Sequence, residues 1–203
     1  MKNTFYFTVI ILFLLPGCVS TYNLFNPTSL QYDAKSSSNN ITLRYKHDVL
    51  KARGNKRYVK KEEKKHITII AISITNDTEG PITFGQNANF YQGNSKINLL
   101  ETELIYASLK QPVAPYALYL LLTPLNGYYY DGYTTTVYPI GYLLGPGLAL
   151  TYSGIAISSN KKFKNDLMEN NLIGKTVLPG ETIYGVIGVG RFGYGYIELK
   201  IED

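Results

Sequence analysis

The chain has 203 residues, 45% of them hydrophobic and 17% charged, with 19 tyrosines, 18 glycines, no tryptophan and a net charge of +5. Its length suits one domain with an insertion better than two full domains. The single cysteine, Cys18, excludes an intrachain disulfide and leaves no other thiol for catalysis or a zinc cluster.

At the N-terminus Lys2 precedes an apolar run from Phe5 to Leu15, broken only by Thr8 and followed by Pro16, Gly17 and Cys18. A membrane-spanning helix needs ~20 predominantly apolar residues. This run stops short of that, at a Pro-Gly pair that ends a helix and exposes the backbone to a peptidase. Its length is that of a secretory signal peptide, so residues 1–17 are expected to be removed. Leu15-Pro16-Gly17-Cys18 resembles the lipobox of bacterial lipoproteins, with Pro16 standing where a small or aliphatic residue is commoner. The resemblance implies a diacylglycerol on the Cys18 thiol, cleavage just before it, acylation of the new amino terminus and a membrane anchor in the cell envelope. One acyl chain binds marginally, at ~0.8 kcal/mol per buried CH₂, whereas two or three hold stably. Val19 and Ser20 carry no acidic retention signal, which implies outer-membrane sorting in a Gram-negative cell. A non-lipidated signal peptide cut near Ser20, or an uncleaved helix, stands as the alternative.

Residues 18–40 then read as the lipidated cysteine and a flexible tether, polar and weakly patterned, ending in Lys35-Ser36-Ser37-Ser38-Asn39-Asn40. As a coil of about 22 residues this segment has a reach of roughly 25 Å. From residue 41 the pattern changes. Ile41 to Lys46 alternates apolar with polar residues, and His66 to Thr75 is rich in β-branched side chains. Asn76-Asp77-Thr78-Glu79-Gly80-Pro81 supplies turn chemistry before Ile82-Thr83-Phe84. Short strands are expected around Asn89–Gln92, Lys96–Leu100 and Thr176–Leu178, with closing strands at Thr182–Val189 and Tyr194–Ile201.

The fold expected is therefore mainly β: an antiparallel sandwich over 41–203, interrupted by an apolar, partly helical insertion at 101–174. The Asn-Asp-Thr-Glu-Gly-Pro turn between strands, with the later Leu-Pro-Gly-Glu-Thr, resembles the immunoglobulin-like domains of envelope proteins. The passage from Gly154 through Asn160-Lys161-Lys162-Phe163 to Pro179-Gly180-Glu181-Thr182 resembles uncharacterised Bacteroidetes-type envelope lipoproteins. These resemblances imply a location and no activity.

Between Lys110 and Lys161 lie 50 residues with one charged side chain, Asp131. Two apolar runs, Val113–Leu125 and Pro139–Ile157, flank Asn126-Gly127-Tyr128-Tyr129-Tyr130-Asp131-Gly132-Tyr133 in a hairpin-like arrangement. Prolines and glycines interrupt both runs, so neither makes a convincing spanning helix. Buried core, a membrane or partner surface, and a transmembrane hairpin all stay open for 112–157. Tyrosine favours boundaries that are wet on one side and apolar on the other. Tyr116, Tyr119, Leu120, Tyr138, Tyr142, Leu143, Leu148 and Tyr152 are the candidate membrane or partner contacts. Ser158-Ser159-Asn160 is expected to cap an amphipathic helix over Lys161–Leu172.

Arg44 to His66 holds ten Lys or Arg against Asp48, Glu62 and Glu63. This cluster reads as an exposed hairpin turning at Arg53-Gly54-Asn55-Lys56, or as a patch for anionic headgroups. A secretory route argues against nucleic acid as a partner. No metal or cofactor motif stands out: His47 and His66 are isolated, and HExxH and GxSxG are absent. Gly188-Val189-Gly190-Arg191-Phe192-Gly193 fits GxGxxG, but too little chain follows for a dinucleotide-binding unit. Two functions remain in view. One is a non-enzymatic, lipid-anchored envelope module that binds a partner protein or the membrane, or serves as an accessory subunit. The other is an envelope hydrolase using Asp131, Glu101 or Glu103, on a glycan for example.

Overall fold

A computed structural model of the chain describes residues 19–38, 40–190 and 195–201. The expected signal segment 1–17 and the expected lipid-bearing Cys18 lie outside the described residues, as do Arg191 to Gly193 of the GxGxxG match. In chain order the elements are a 3-10 turn Pro27–Ser29, β1 Ala34–Ser38, β2 Ile41–Lys46, α1 Val49–Ala52, α2 Lys56–Lys65 and β3 Ile67–Asn76. They continue with β4 Ile82–Thr83, β5 Ala88–Gln92, β6 Ser95–Lys96, α3 Thr102–Leu109 and a 3-10 helix Ala114–Leu122. The chain ends with β7 Gly127–Tyr130, β8 Thr135–Tyr138, α4 Gly141–Asn170, β9 Thr176–Val177, β10 Thr182–Gly190 and β11 Glu198–Ile201. Helix takes 36% and strand 31% of the described residues, so the fold is mixed α/β with antiparallel sheets and not mainly β.

Two compact units divide the chain. One is Tyr22–Lys110 with Lys162–Asp203; the other is Gln111–Lys161 with the N-terminal stretch to Thr21. The larger unit is built on a four-stranded antiparallel sheet of order β1-β2-β3-β10. Its central strand β3 is a β-branched run with period 2, and both of its faces are buried. Ile70, Ile72 and Ile74 join Leu43 and Tyr45 of β2 and Ile187 and Val189 of β10 in one core. That core is completed by Phe90 of β5 and Leu199 of β11, which belong to the three-stranded sheet β11-β5-β6. Phe84 and Phe90 stack at 5.7 Å, and the Tyr45 hydroxyl accepts the Ile197 N–H at 3.1 Å.

The opposite face carries Ile67, Ile69 and Ala71, and it packs against helices. Leu50 of α1, Tyr58 of α2, Ile105 and Leu109 of α3, and Phe163 and Leu167 of α4 fill this second core. Close approach here requires glycine at 188: a Cβ at that position would stand 2.2 Å from Ile105 Cδ1. The first glycine of the GxGxxG match thus has a packing role in the sheet.

The basic segment is helical, not a hairpin. It contributes α1 and α2, and each turns apolar side chains into the second core, Val49 and Leu50 from α1 and Tyr58 and Val59 from α2. Lys60, Lys64 and Lys65 are left in solvent. Glu62 is turned inward, and its Oε1 accepts the Ile69 N–H at 2.8 Å. Burial pushes the carboxyl up to about 8 despite that bond.

The expected tether is also corrected. β1 pairs with β2 from Ala34↔Tyr45 to Ser38↔Ile41, and Tyr22 and Phe25 are buried among aromatic rings. The Tyr22 hydroxyl donates to Asp166 Oδ2 at 2.5 Å, and the Phe25 N–H donates to the same oxygen at 2.8 Å. Asn23 is paired through both backbone groups with the Asn55 amide, at 2.9 and 2.8 Å. A few aromatic anchors and satisfied backbone bonds overcome the low apolar content that suggested a coil.

Candidate functional site

The smaller unit has little inside it and much outside. Its 3-10 helix Ala114–Leu122 is nine residues long, well beyond the usual three or four. Side chains three apart eclipse in this geometry, so Tyr116, Tyr119 and Leu122 form one inward column. They pack with Ala149, Tyr152 and Ala156 of α4. Tyr119 stacks on Tyr152 at 5.1 Å. Tyr116 and Tyr119 are 3% and 6% exposed, so these two expected contact residues are core. Leu148 and Tyr152 are half-buried against the same cluster. Leu120, Tyr138, Tyr142 and Leu143 are exposed, as a contact role requires.

Close packing inside this unit is set by glycine. A Cβ on Gly141 would stand 2.3 Å from the carbonyl oxygens of Leu122 and Thr123, and one on Gly145 would stand 2.7 Å from Thr123 Oγ1. The two glycines and Ala149, four residues apart in turn, let α4 lie directly on the segment after the 3-10 helix. The residues facing the other way are large and apolar. Leu143 is 80% and Leu150 75% exposed, and Ile157 continues the same seven-residue spacing. Leu118 and Leu121 project from the 3-10 helix in the same way.

The hairpin of β7 and β8 runs in register from Gly127↔Tyr138 to Tyr130↔Thr135 and belongs to no larger sheet. Every residue from Tyr128 to Tyr138 is exposed, so both faces of the ribbon are open. Asp131 closes its turn. Its Oδ1 accepts the Thr134 N–H at 2.7 Å and the Tyr133 N–H at 2.8 Å, and those two bonds hold the carboxyl below the usual range. The one charged side chain between Lys110 and Lys161 is therefore occupied with the backbone.

The polar residues expected to start a helix do something else. α4 runs through Ser158-Ser159-Asn160 without interruption. Asn160 Oδ1 accepts the Gln111 N–H at 2.7 Å, and its Nδ2 donates to the Gln111 carbonyl at 2.8 Å, both buried. The Gln111 side chain in turn clasps Ser20: Nε2 donates to the Ser20 carbonyl at 2.7 Å, and Oε1 accepts the Ser20 N–H at 3.3 Å. The Ser159 hydroxyl donates to the same carbonyl at 3.1 Å. Val19 packs against the small core. The first described residues of the chain are thus fastened to this unit.

The carboxylates weighed for hydrolysis are divided between the two units. Asp131 belongs to the smaller unit and is bound in its turn; Glu103 belongs to the larger one and pairs with Lys164 at 3.0 Å, two residues along from the α3 N-cap residue Glu101. Two depressions of the larger unit, of about 560 and 370 Å³, include no carboxylate in their walls. Among the described residues no group of three or more His, Cys, Asp or Glu is placed to hold a metal ion. No helix among them is long and apolar enough to cross a membrane. Sequence reasoning missed Leu118, Leu121, Leu150 and Ile157 as outward residues. The seven-residue spacing of Leu143, Leu150 and Ile157 was the signal for three of the outward positions. Compared with protein-family models, curated proteins and solved structures, the chain shows no match.

Proposed function

We propose that the chain is a lipid-anchored cell-envelope protein, a non-enzymatic binding or accessory module held at the membrane by acyl chains on Cys18, at the outer membrane in a Gram-negative cell. The observation that carries this reading is the outward-facing, nearly chargeless surface of Gln111–Lys161 in a unit to which Val19 and Ser20 are fastened. Val19 is one peptide bond, about 3.8 Å between Cα atoms, from the lipobox cysteine. Large apolar surface left open on a folded unit marks contact with a membrane or a partner.

The sandwich part of the expected fold is supported by the two antiparallel sheets that share the core around Phe90 and Ile72. The helical layer on the second face of the larger sheet departs from an immunoglobulin-like domain. The reading is tested by metabolic acyl labelling and membrane fractionation of the native chain and its Cys18→Ala variant. Label and sedimentation in the native chain, with label lost in Cys18→Ala, support it. An unlabelled native chain overturns it.

A further inference from the structure

We propose that what covers the apolar surface of Gln111–Lys161 is lipid: the unit sits in the monolayer that receives the Cys18 acyl chains, with the Ser20–Gln111–Ser159 clasp fixing the anchor against it. This rests on the lipoprotein reading and deepens it by choosing the membrane over a protein partner.

Three observations favour lipid. The first is how the open surface is distributed. Both faces of the β7–β8 ribbon are exposed, and so are the outward columns of the 3-10 helix and the Leu143/Leu150/Ile157 stripe of α4. A protein partner covers one patch, whereas a fluid apolar phase coats a ribbon from both sides. An isolated two-stranded hairpin is marginal in water, and a surrounding phase removes that weakness. The second is chemical. The one carboxylate on this surface is bound in a turn, and the exposed polar groups that remain are largely hydroxyls of Thr, Ser and Tyr, which suit a headgroup boundary and bring no charge to be desolvated. The third is continuity. The clasp on Ser20 leaves no flexible spacer between this unit and residue 18, so acyl chains on Cys18 would enter the bilayer beside it.

The dimensions agree. A four-residue strand rises roughly 13 Å, within one leaflet of about 15 Å. The contact is therefore interfacial, in keeping with the lack of a spanning helix among the described residues. It draws on apolar burial and not on the lysines of α2, so it does not require anionic lipid.

The chain contains no tryptophan, which makes a single introduced one an unambiguous reporter. Leu150→Trp, placed in the secreted form beginning at residue 18 and carrying Cys18→Ser, is titrated with phosphatidylcholine vesicles. Tyr184→Trp, on β10 of the other unit, is the control. A blue shift at 150, quenching by brominated acyl chains and insensitivity to high salt are expected, with no shift at 184. Leu143→Asp with Ile157→Asp in the Leu150→Trp background should weaken partitioning at least about tenfold per side chain while leaving the circular dichroism spectrum unchanged. No shift at 150 with lipid, a shift that needs anionic lipid and vanishes in salt, or a shift that tracks protein concentration without lipid each overturns the proposal. The last of these assigns the surface to a second copy. Because these measurements use unacylated protein, the two failures are distinguishable: a negative result here leaves the acyl-labelling test of the anchor standing, whereas a negative labelling result removes the anchor from the proposal and leaves only the lipid contact of the surface to be read from the shift at 150.

Discussion

The isoleucines of β3 are sealed on both faces of a sheet while Lys60, Lys64 and Lys65 of α2 stand outside; in Gln111–Lys161 Leu118, Leu121, Leu143 and Leu150 stand outside while Tyr116, Tyr119, Ala149 and Ala156 fill the inside. Both regions are rich in apolar residues. They differ in charge: the region around α2 offers ten basic side chains within 23 residues, the other a single carboxylate in 50. A helix in water needs a charged or polar face opposite its apolar one. The larger unit has that division, and the first half of α4 lacks it. An apolar run announces burial somewhere, and the missing charged face tells whether protein alone provides it.

The contrast is broken most severely by truncating Phe163, which is fully buried with its ring 4.6 Å from Tyr58 and 5.2 Å from Tyr22. Phe163→Ala should cost ~3 to 5 kcal/mol in denaturant unfolding. Leu150→Ala, on the same helix but facing out, should change stability by less than ~0.5 kcal/mol without lipid. Equal costs for the two would mean that Leu150 is core and would sink the comparison.

Gly141→Val comes next, since its side chain would collide with the carbonyls of Leu122 and Thr123. Overpacking of this kind costs ~1 to 3 kcal/mol. Limited proteolysis should then cut within 111–161 first and spare the sheet of the larger unit.

Glu62→Gln sharpens the picture of the larger unit through pH. The folded chain keeps a proton on Glu62 up to about 8, whereas the ordinary value is 4.5. The stability that this protonation contributes is full below about 4.5 and is lost as pH rises through about 8. At pH above that window the variant should therefore be more stable than the native chain, on the order of 2 kcal/mol, with a flatter profile across it. Thermal melts across the window read this, and an unchanged slope would contradict it.

The smallest effect is expected at the hairpin. Asp131→Ala removes the acceptor for the Thr134 and Tyr133 N–H groups. Amide exchange should quicken across 127–138 and stay unchanged in β3.

Much of the larger unit was legible. Ile41–Lys46 was read with the bounds it has, and β3 and β10 were displaced by only a residue at their ends, because period-2 alternation and β-branched runs act over a few residues. The Asn76 turn was legible for the same reason. The amide Nδ2 of Asn76 donates to the Gly80 and Val177 carbonyls at 2.9 and 3.0 Å. The basic segment misled because Gly54-Asn55 resembles a hairpin turn, whereas Tyr58 and Val59 show their worth only once α2 meets β3. In the candidate surface, nine tyrosines between Gln111 and Asn160 marked the region but not the direction of each ring. A 3-10 period put Tyr116 and Tyr119 inside, where an α-helical or extended reading gives no such column.

By itself, then, the sequence determined the Leu15-Pro16-Gly17-Cys18 motif, the interior strands and the chargeless stretch, all of them properties of neighbouring residues. Tertiary structure alone decided that Ser20 is clasped by Gln111 and Ser159, residues 91 and 139 positions away, and that Asn160 serves Gln111 and not the start of a helix. A polar side chain carries the same donors and acceptors wherever it sits. Which partner satisfies them depends on what distant chain the packing brings within 3 Å.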